Sequence, residues 1–317
     1  MPTREEFIAR RPALTANISA YFGAGKTLQA HSFPKCYTIS CDPAGLETLR
    51  QPKNAAFLAN LVEYEELQVA SREELMQVFR ENAKADERTS IYGCLARARE
   101  LAAQGAIETL VIDGFTYFVD IKWRQINEYE VAKSATTGNM DGQAMYRNLG
   151  LYLHRFVASD LMTMATRHGL NVILTTHLKR ESEEQVQGSE KIKNRAKKVM
   201  TNSDIAPMIE GGFRNKMAGL VGADLYLEKS IKDGKAEYVA LCDITRGFNT
   251  TVNAKNRYGL PARLPLTDKS LYGAIVEALK IKREGVVASG SSSQLQTPQP
   301  QSPQRPQSQA KPTTAGA

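Results

Sequence analysis

The chain of 317 residues has no apolar run of membrane-spanning length, so no segment reads as a transmembrane helix. The charged stretch 1–11 lacks the apolar centre of a signal peptide, which makes the cytoplasm the expected location, with no membrane partner. Cysteine is scarce. Cys36, Cys41, Cys94 and Cys242 lie apart without Cys-x-x-Cys spacing, which argues against a disulfide framework or zinc site and for small buried hydrophobes. The four histidines are equally dispersed, leaving Mg²⁺ as the one metal to expect. No repeat is present. From about residue 289 apolar side chains almost vanish in favour of Ser, Gln, Pro and Thr. Such a composition cannot bury enough surface to offset the entropy of ordering, so a disordered tail is expected. The remainder, in a chain 42% hydrophobic, is long enough for a full core.

Against these absences stands Ala20-Tyr21-Phe22-Gly23-Ala24-Gly25-Lys26-Thr27. It follows the phosphate-loop pattern G-x-x-x-x-G-K-[ST] except at its first position, where Ala20 replaces glycine. Backbone N–H groups converge on phosphate oxygens only where no side chain intrudes, a need that Gly23 and Gly25 meet. Lys26 would reach the β- and γ-phosphates of ATP, and the Thr27 hydroxyl would bind Mg²⁺. A short strand at 17–22 and a helix from Thr27 would supply the context the motif requires. If position 20 needs a left-handed backbone, alanine there costs roughly 1–2 kcal/mol, which bears on the rate of hydrolysis. A chance Gly-Lys-Thr turn is the competing reading of this motif alone.

The segment 107–113 is a compact apolar strand between Gly105 and Gly114 that ends in Asp113. A buried parallel strand carrying a Mg²⁺-directed carboxylate has this form, as does an ordinary strand-terminal Asp that caps the next helix. Helical segments at 72–83 and 90–104 separate the two motifs, which makes coincidence a poor explanation of both. Further strands are expected at 36–41 and 171–176, and at 223–227 and 237–245 around a hairpin turn at 232–235. A last helix spans 269–283. The pattern is an α/β fold with a mostly parallel sheet flanked by helices and late antiparallel strands. The expected organisation is an arm 1–13, one ATPase domain 14–286 and a tail 287–317.

A net charge of +7 favours a polyanionic partner. The charge concentrates in Lys191, Lys193, Arg195, Lys197 and Lys198, which follow the strand 171–176 after Lys179 and Arg180. Such a stretch can track a phosphate backbone with steep salt dependence. It can equally be a solvated basic face, since Glu181, Glu183, Glu184 and Glu190 partly neutralise the neighbourhood.

The ordered set Gly25-Lys26-Thr27, Asp42-Pro43-Ala44-Gly45-Leu46, Val111-Ile112-Asp113, Thr175-Thr176-His177-Leu178-Lys179 and Ala254-Lys255-Asn256-Arg257-Tyr258-Gly259 resembles the RecA-like P-loop ATPases. The likeness is greatest to the compact phage single-strand annealing and recombination ATPases, often described as AAA-family or NTP-binding proteins. It spans about residues 14–283. It implies a RecA-like fold and a Mg²⁺-dependent, DNA-stimulated ATPase acting in DNA recombination and repair, in host cytoplasm if phage-encoded. Asp42 would orient or activate the attacking water, with Glu47 a less favoured substitute. His177 would be the polar sensor that relays γ-phosphate occupancy to a DNA-binding loop containing Lys179, Arg180 and the five later cations. Lys255 and Arg257 look like the basic pair inserted into a neighbour's nucleotide, which places the active site between subunits of a homo-oligomeric filament or ring. Implied partners are single-stranded DNA and a single-strand-binding or other recombination factor. Phe213 would either stack on DNA or enter the core. Two alternatives stand beside this reading: a single-strand annealing module that hydrolyses weakly or not at all, and an AAA+ helicase-loader-like replication ATPase.

Overall fold

The computed structural model describes residues 13–138, 141–180, 205–207, 213–232, 235–243, 245–246, 251–252, 254–266 and 270–290. Its centre is a sheet entered by β1 (Thr15–Ala20), after which α1 (Lys26–Ala30) leads to β2 (Cys36–Ser40). Next come β3 (Leu61–Glu66), α2 (Arg72–Gln77), α3 (Ile91–Ala103) and β4 (Thr109–Asp113). The long α4 (Phe115–Thr137), then α5 (Gly142–Arg155) and α6 (Met162–His168), precede β5 (Asn171–Arg180) and β6 (Ile205–Pro207). After α7 (Arg214–Leu220) come the long strands β7 (Ala223–Lys232) and β8 (Lys235–Leu241). Four short strands follow: β9 (Thr245–Arg246), β10 (Thr251–Val252), β11 (Lys255–Asn256) and β12 (Arg263–Pro265). The last element is α8 (Leu271–Gly290).

The strand order is β12-β8-β7-β1-β5-β4-β2-β3. From β7 to β3 all neighbours are parallel, while β8, β11 and β12 add antiparallel pairs at the other side. This is the expected α/β fold, a mostly parallel sheet flanked by helices with its antiparallel strands late in the chain. The hairpin also appears, with Lys232 opposite Lys235. One compact unit runs through Leu279 and a second begins at Lys280, of which 280–290 are helical.

Both faces of the parallel strands are covered, so strand side chains alternate between two cores. Leu110 and Ile112 enter one, while Val111 joins Ala16, Ile18 and Ile173 in the other. The sequence of β1 shows the consequence. Its apolar residues Ala16, Ile18 and Ala20 fill the second core, and the intervening Asn17 and Ser19 are also fully buried. Buried polar groups need partners. Asn17 Nδ2 donates to Ser19 Oγ at 2.9 Å and to Asp224 Oδ1 at 2.8 Å, and Ser19 lies 2.7 Å from Thr176 Oγ1.

Several boundaries move from the sequence reading. The strand at the phosphate loop is Thr15–Ala20, and β5 continues to Arg180. The helix expected at 72–83 stops at Gln77. The strand β3 escapes the apolar pattern because its inward residues are Glu63 and Glu65, paired with Arg88 and Arg97. Phe213 is a core residue, packed with Met217 and Val221, so it offers no stacking platform.

Candidate active site

The carboxyl ends of β1, β4 and β5 lie side by side, because β5 sits between the strand that feeds the phosphate loop and the strand that ends in Asp113. The loop turns through Gly23 (φ 75°) and Gly25 (φ 84°), left-handed conformations that glycine adopts without a Cβ penalty. Gly25 is the residue before the first turn of α1, which starts at Lys26. Ala20 is different. It is the last, fully buried residue of β1, opposite His177, and Lys35 is the one non-glycine residue with positive φ among those described. The strain cost considered for alanine at position 20 therefore does not arise.

Thr27 Oγ1 donates to both oxygens of Asp113, at 3.2 and 3.0 Å. Thr175 Oγ1 donates to Asp113 Oδ1 at 2.7 Å and accepts from the Gly114 amide at 2.8 Å. Burial raises the Asp113 pKa, opposed by His31 and the two hydroxyls. His31 is itself fixed between the Thr27 carbonyl (2.7 Å) and Thr38 Oγ1 (2.8 Å), and burial lowers its pKa. A hydroxyl and a carboxylate converging in this way form a hard-oxygen donor set, which fits Mg²⁺ held by few protein ligands together with phosphate. Among the described residues no cluster of three or more His, Cys, Asp or Glu offers a metal site.

Lys26 is 8% exposed, and its ammonium contacts the Ala20 and Tyr21 carbonyls at 3.3 Å and His177 Nδ1 at 3.0 Å. An ammonium only donates, so Nδ1 accepts and the neutral imidazole carries its proton on Nε2. That Nε2 is buried with no hydrogen-bond partner and lies 3.9 Å from Asp42 Oδ2. Burial, then the Lys26 charge, lowers His177 to about 4, with Asp42 opposing. Burial likewise lowers Lys26 to about 8, against the pull of Asp113 and Asp42. The imidazole is packed between the Phe22 ring, stacked at 4.0 Å, and the edge of Tyr117 at 5.5 Å. Its backbone N–H donates to Thr116 Oγ1 at 2.9 Å.

Asp42 follows β2 and is held in a tight turn, its Oδ1 accepting from the Ala44 amide at 3.1 Å. The approach is close enough that Cβ atoms at Gly45 and Gly114 would fall 3.1 and 2.8 Å from Asp42 Cβ. Glu47, by contrast, pairs with Arg50 at the surface.

The structure thus brings Lys26, Thr27, Asp42, Asp113 and His177 together. Lys255 and Arg257 lie elsewhere. Lys255 stands opposite Asp224 in the backbone register of β11 and β7, beside Asn17 in the amino-terminal half of β1, at the other end of the strands from the loop. Arg257 donates to the Gly219 carbonyl at 2.5 Å. Lys179 and Arg180 end β5, opposite Ala206 and Ile205. Lys191, Lys193, Arg195, Lys197 and Lys198 lie outside the described residues. Sequence reading passed over Thr175, Thr116, Tyr117 and His31. Only Thr175 carried a signal, standing two residues before the chosen histidine on the same strand face.

Residues 13–258 match the family described as AAA domain. No curated protein matches the sequence. The fold is similar to the crystal structure of a KaiC-like protein from the hyperthermophilic archaeon Pyrococcus horikoshii OT3, at 11% identity and a TM-score of 0.34, over 80% of this chain and 84% of that one. With the match spanning most of the sequence and the Lys26, Thr27 and Asp113 constellation at its centre, the chain belongs to the AAA domain family and is a nucleotide-binding P-loop ATPase.

Proposed function

We propose that this ATPase governs the binding of single-stranded DNA in recombination or annealing, as a homo-oligomer. One observation carries the reading. His177 touches the phosphate-loop lysine, and on the same strand only Leu178 separates it from Lys179 and Arg180, which lead toward the basic segment 191–198. Lys26 is held by His177 and two carbonyls. A γ-phosphate draws Lys26 away, and the imidazole loses its partner. The change in β5 is then passed to the cations beyond it.

In hydrolysis Lys26 binds the β- and γ-phosphates, and Asp42 orients the attacking water and accepts its proton. Thr27 and Asp113 would hold Mg²⁺, which would offset phosphate charge. His177, neutral at physiological pH, adds no charge of its own and senses where Lys26 points. Lys255 and Arg257 are remote from Lys26 in their own chain, so a finger role requires a neighbouring subunit. Both are exposed, as that role demands.

The test is steady-state ATP hydrolysis with and without single-stranded DNA. Wild type is expected to be stimulated, Lys26→Ala to lose roughly 100-fold or more of the rate, and His177→Ala to bind ATP yet lose stimulation. Undiminished stimulation in His177→Ala would remove the coupling, and DNA-independent turnover in wild type would remove the DNA reading.

A further inference from the structure

The loops leaving β2 and β3 and the first turns of α4 enclose a cavity of about 370 Å³ beside the active site. Two of its lining residues, Cys41 and Pro43, flank Asp42 in sequence. Its wall is Tyr117, whose ring lies perpendicular to that of His177. Leu67 and Ile121, both buried, give it an apolar floor with Val69. Gln68, Asp120 and Arg124 line it as exposed polar residues. Tyr117, Ile121 and Arg124 recur at helical spacing and so share one face of α4.

We propose that this cavity receives one base of a bound single strand. This rests on the single-strand reading and names a base subsite for it. The volume falls in the range of small-molecule sites built from apolar walls with a few placed polar groups. An aromatic wall over an aliphatic floor suits a flat π-system of any base identity. Gln68 Nε2 donates to Glu66 Oε2 at 3.3 Å, and the amide oxygen of Gln68 is an acceptor for the edge of a nucleobase. Arg124 matches the phosphate of the same nucleotide. An apolar side chain from a second copy of the chain would use the floor but neither the Gln68 amide nor Arg124. A base lodged here contacts Tyr117 and Pro43, and through them bears on His177 and Asp42, so occupancy of the subsite and water activation are linked by direct contact.

The experiment compares binding of an oligothymidylate with an abasic oligomer of equal length, by fluorescence anisotropy with a non-hydrolysable ATP analogue present. Tyr117→Ala removes the wall and Val69→Trp fills the space. Each should weaken oligothymidylate binding roughly 10-fold while leaving the abasic oligomer unaffected, and Tyr117→Phe should behave as wild type. An unchanged far-ultraviolet circular-dichroism spectrum verifies that each variant is folded. Equal weakening of both oligomers, or of neither, overturns the base subsite while strand binding stands. Wild type that binds neither oligomer overturns the single-strand reading itself. An altered oligomer mass in Val69→Trp with oligothymidylate affinity intact would assign the cavity to a contact between copies, and overturn the subsite.

Discussion

Burial lowers Lys26 to about 8, so its ammonium begins to lose its proton just above neutrality. A triphosphate favours the charged form. ATP affinity should therefore be level below about pH 8 and fall by up to about 10-fold per pH unit above it, with proton uptake on binding. Calorimetry in buffers of different ionisation enthalpy checks this, and proton release would contradict it. A second residue-scale expectation concerns Gly45, where an added Cβ would meet Asp113 Oδ2 at 2.8 Å. Gly45→Ala should lower turnover far more than the thermal midpoint, because the displaced atoms belong to Asp113 and Asp42, the carboxylates proposed to hold Mg²⁺ and to orient water; comparing the two measurements decides it. Lys26, Thr27 and Asp113 were legible in the sequence because phosphate chemistry fixes their type and spacing. Ala20 was misleading, since the pattern records a missing glycine but not that the backbone there is extended. The contacts of Thr175 and Tyr117 with the site depend on strand register and helix direction, neither of which a motif contains.

Among the elements, the seam between β1 and β7 carries a buried carboxylate. Burial raises Asp224 to about 7, opposed by the Asn17 amide. In the unfolded chain an aspartate titrates near 3.9. Between those values the folded state binds more protons than the unfolded one, so stability falls as pH rises through the window and levels off above it. Asp224→Asn keeps an acceptor for Asn17 and should flatten this dependence, gaining on the order of a few kcal/mol over wild type above neutrality. Urea unfolding at about pH 5 and about pH 8 measures it; an identical loss in both proteins would show that other groups set the slope. Strands with continuous apolar runs, β4 and the start of β5, were readable because both faces are covered. The strand β3 was not, since its inward glutamates gain their stability from arginines on α3 and the segment before it.

At the level of the whole molecule, the parallel strands point their carboxyl ends the same way, and the candidate site draws on residues 20–27, 42–45, 113–117 and 175–177, which are scattered through the sequence. The fold class was legible because strands alternate with helices. The meeting of these stretches was not, because it depends on β5, late in the chain, inserting between β1 and β4. That insertion has a consequence for how the protein comes into being. A growing chain that has made β1, β2 and β4 still lacks the strand that supplies Thr175 and His177, so Asp113 has no Thr175 hydroxyl and Lys26 no imidazole. Nucleotide recognition of the native kind begins only after about residue 177 has joined the sheet, and ATP therefore selects for chains in which β5 has already joined β1 and β4.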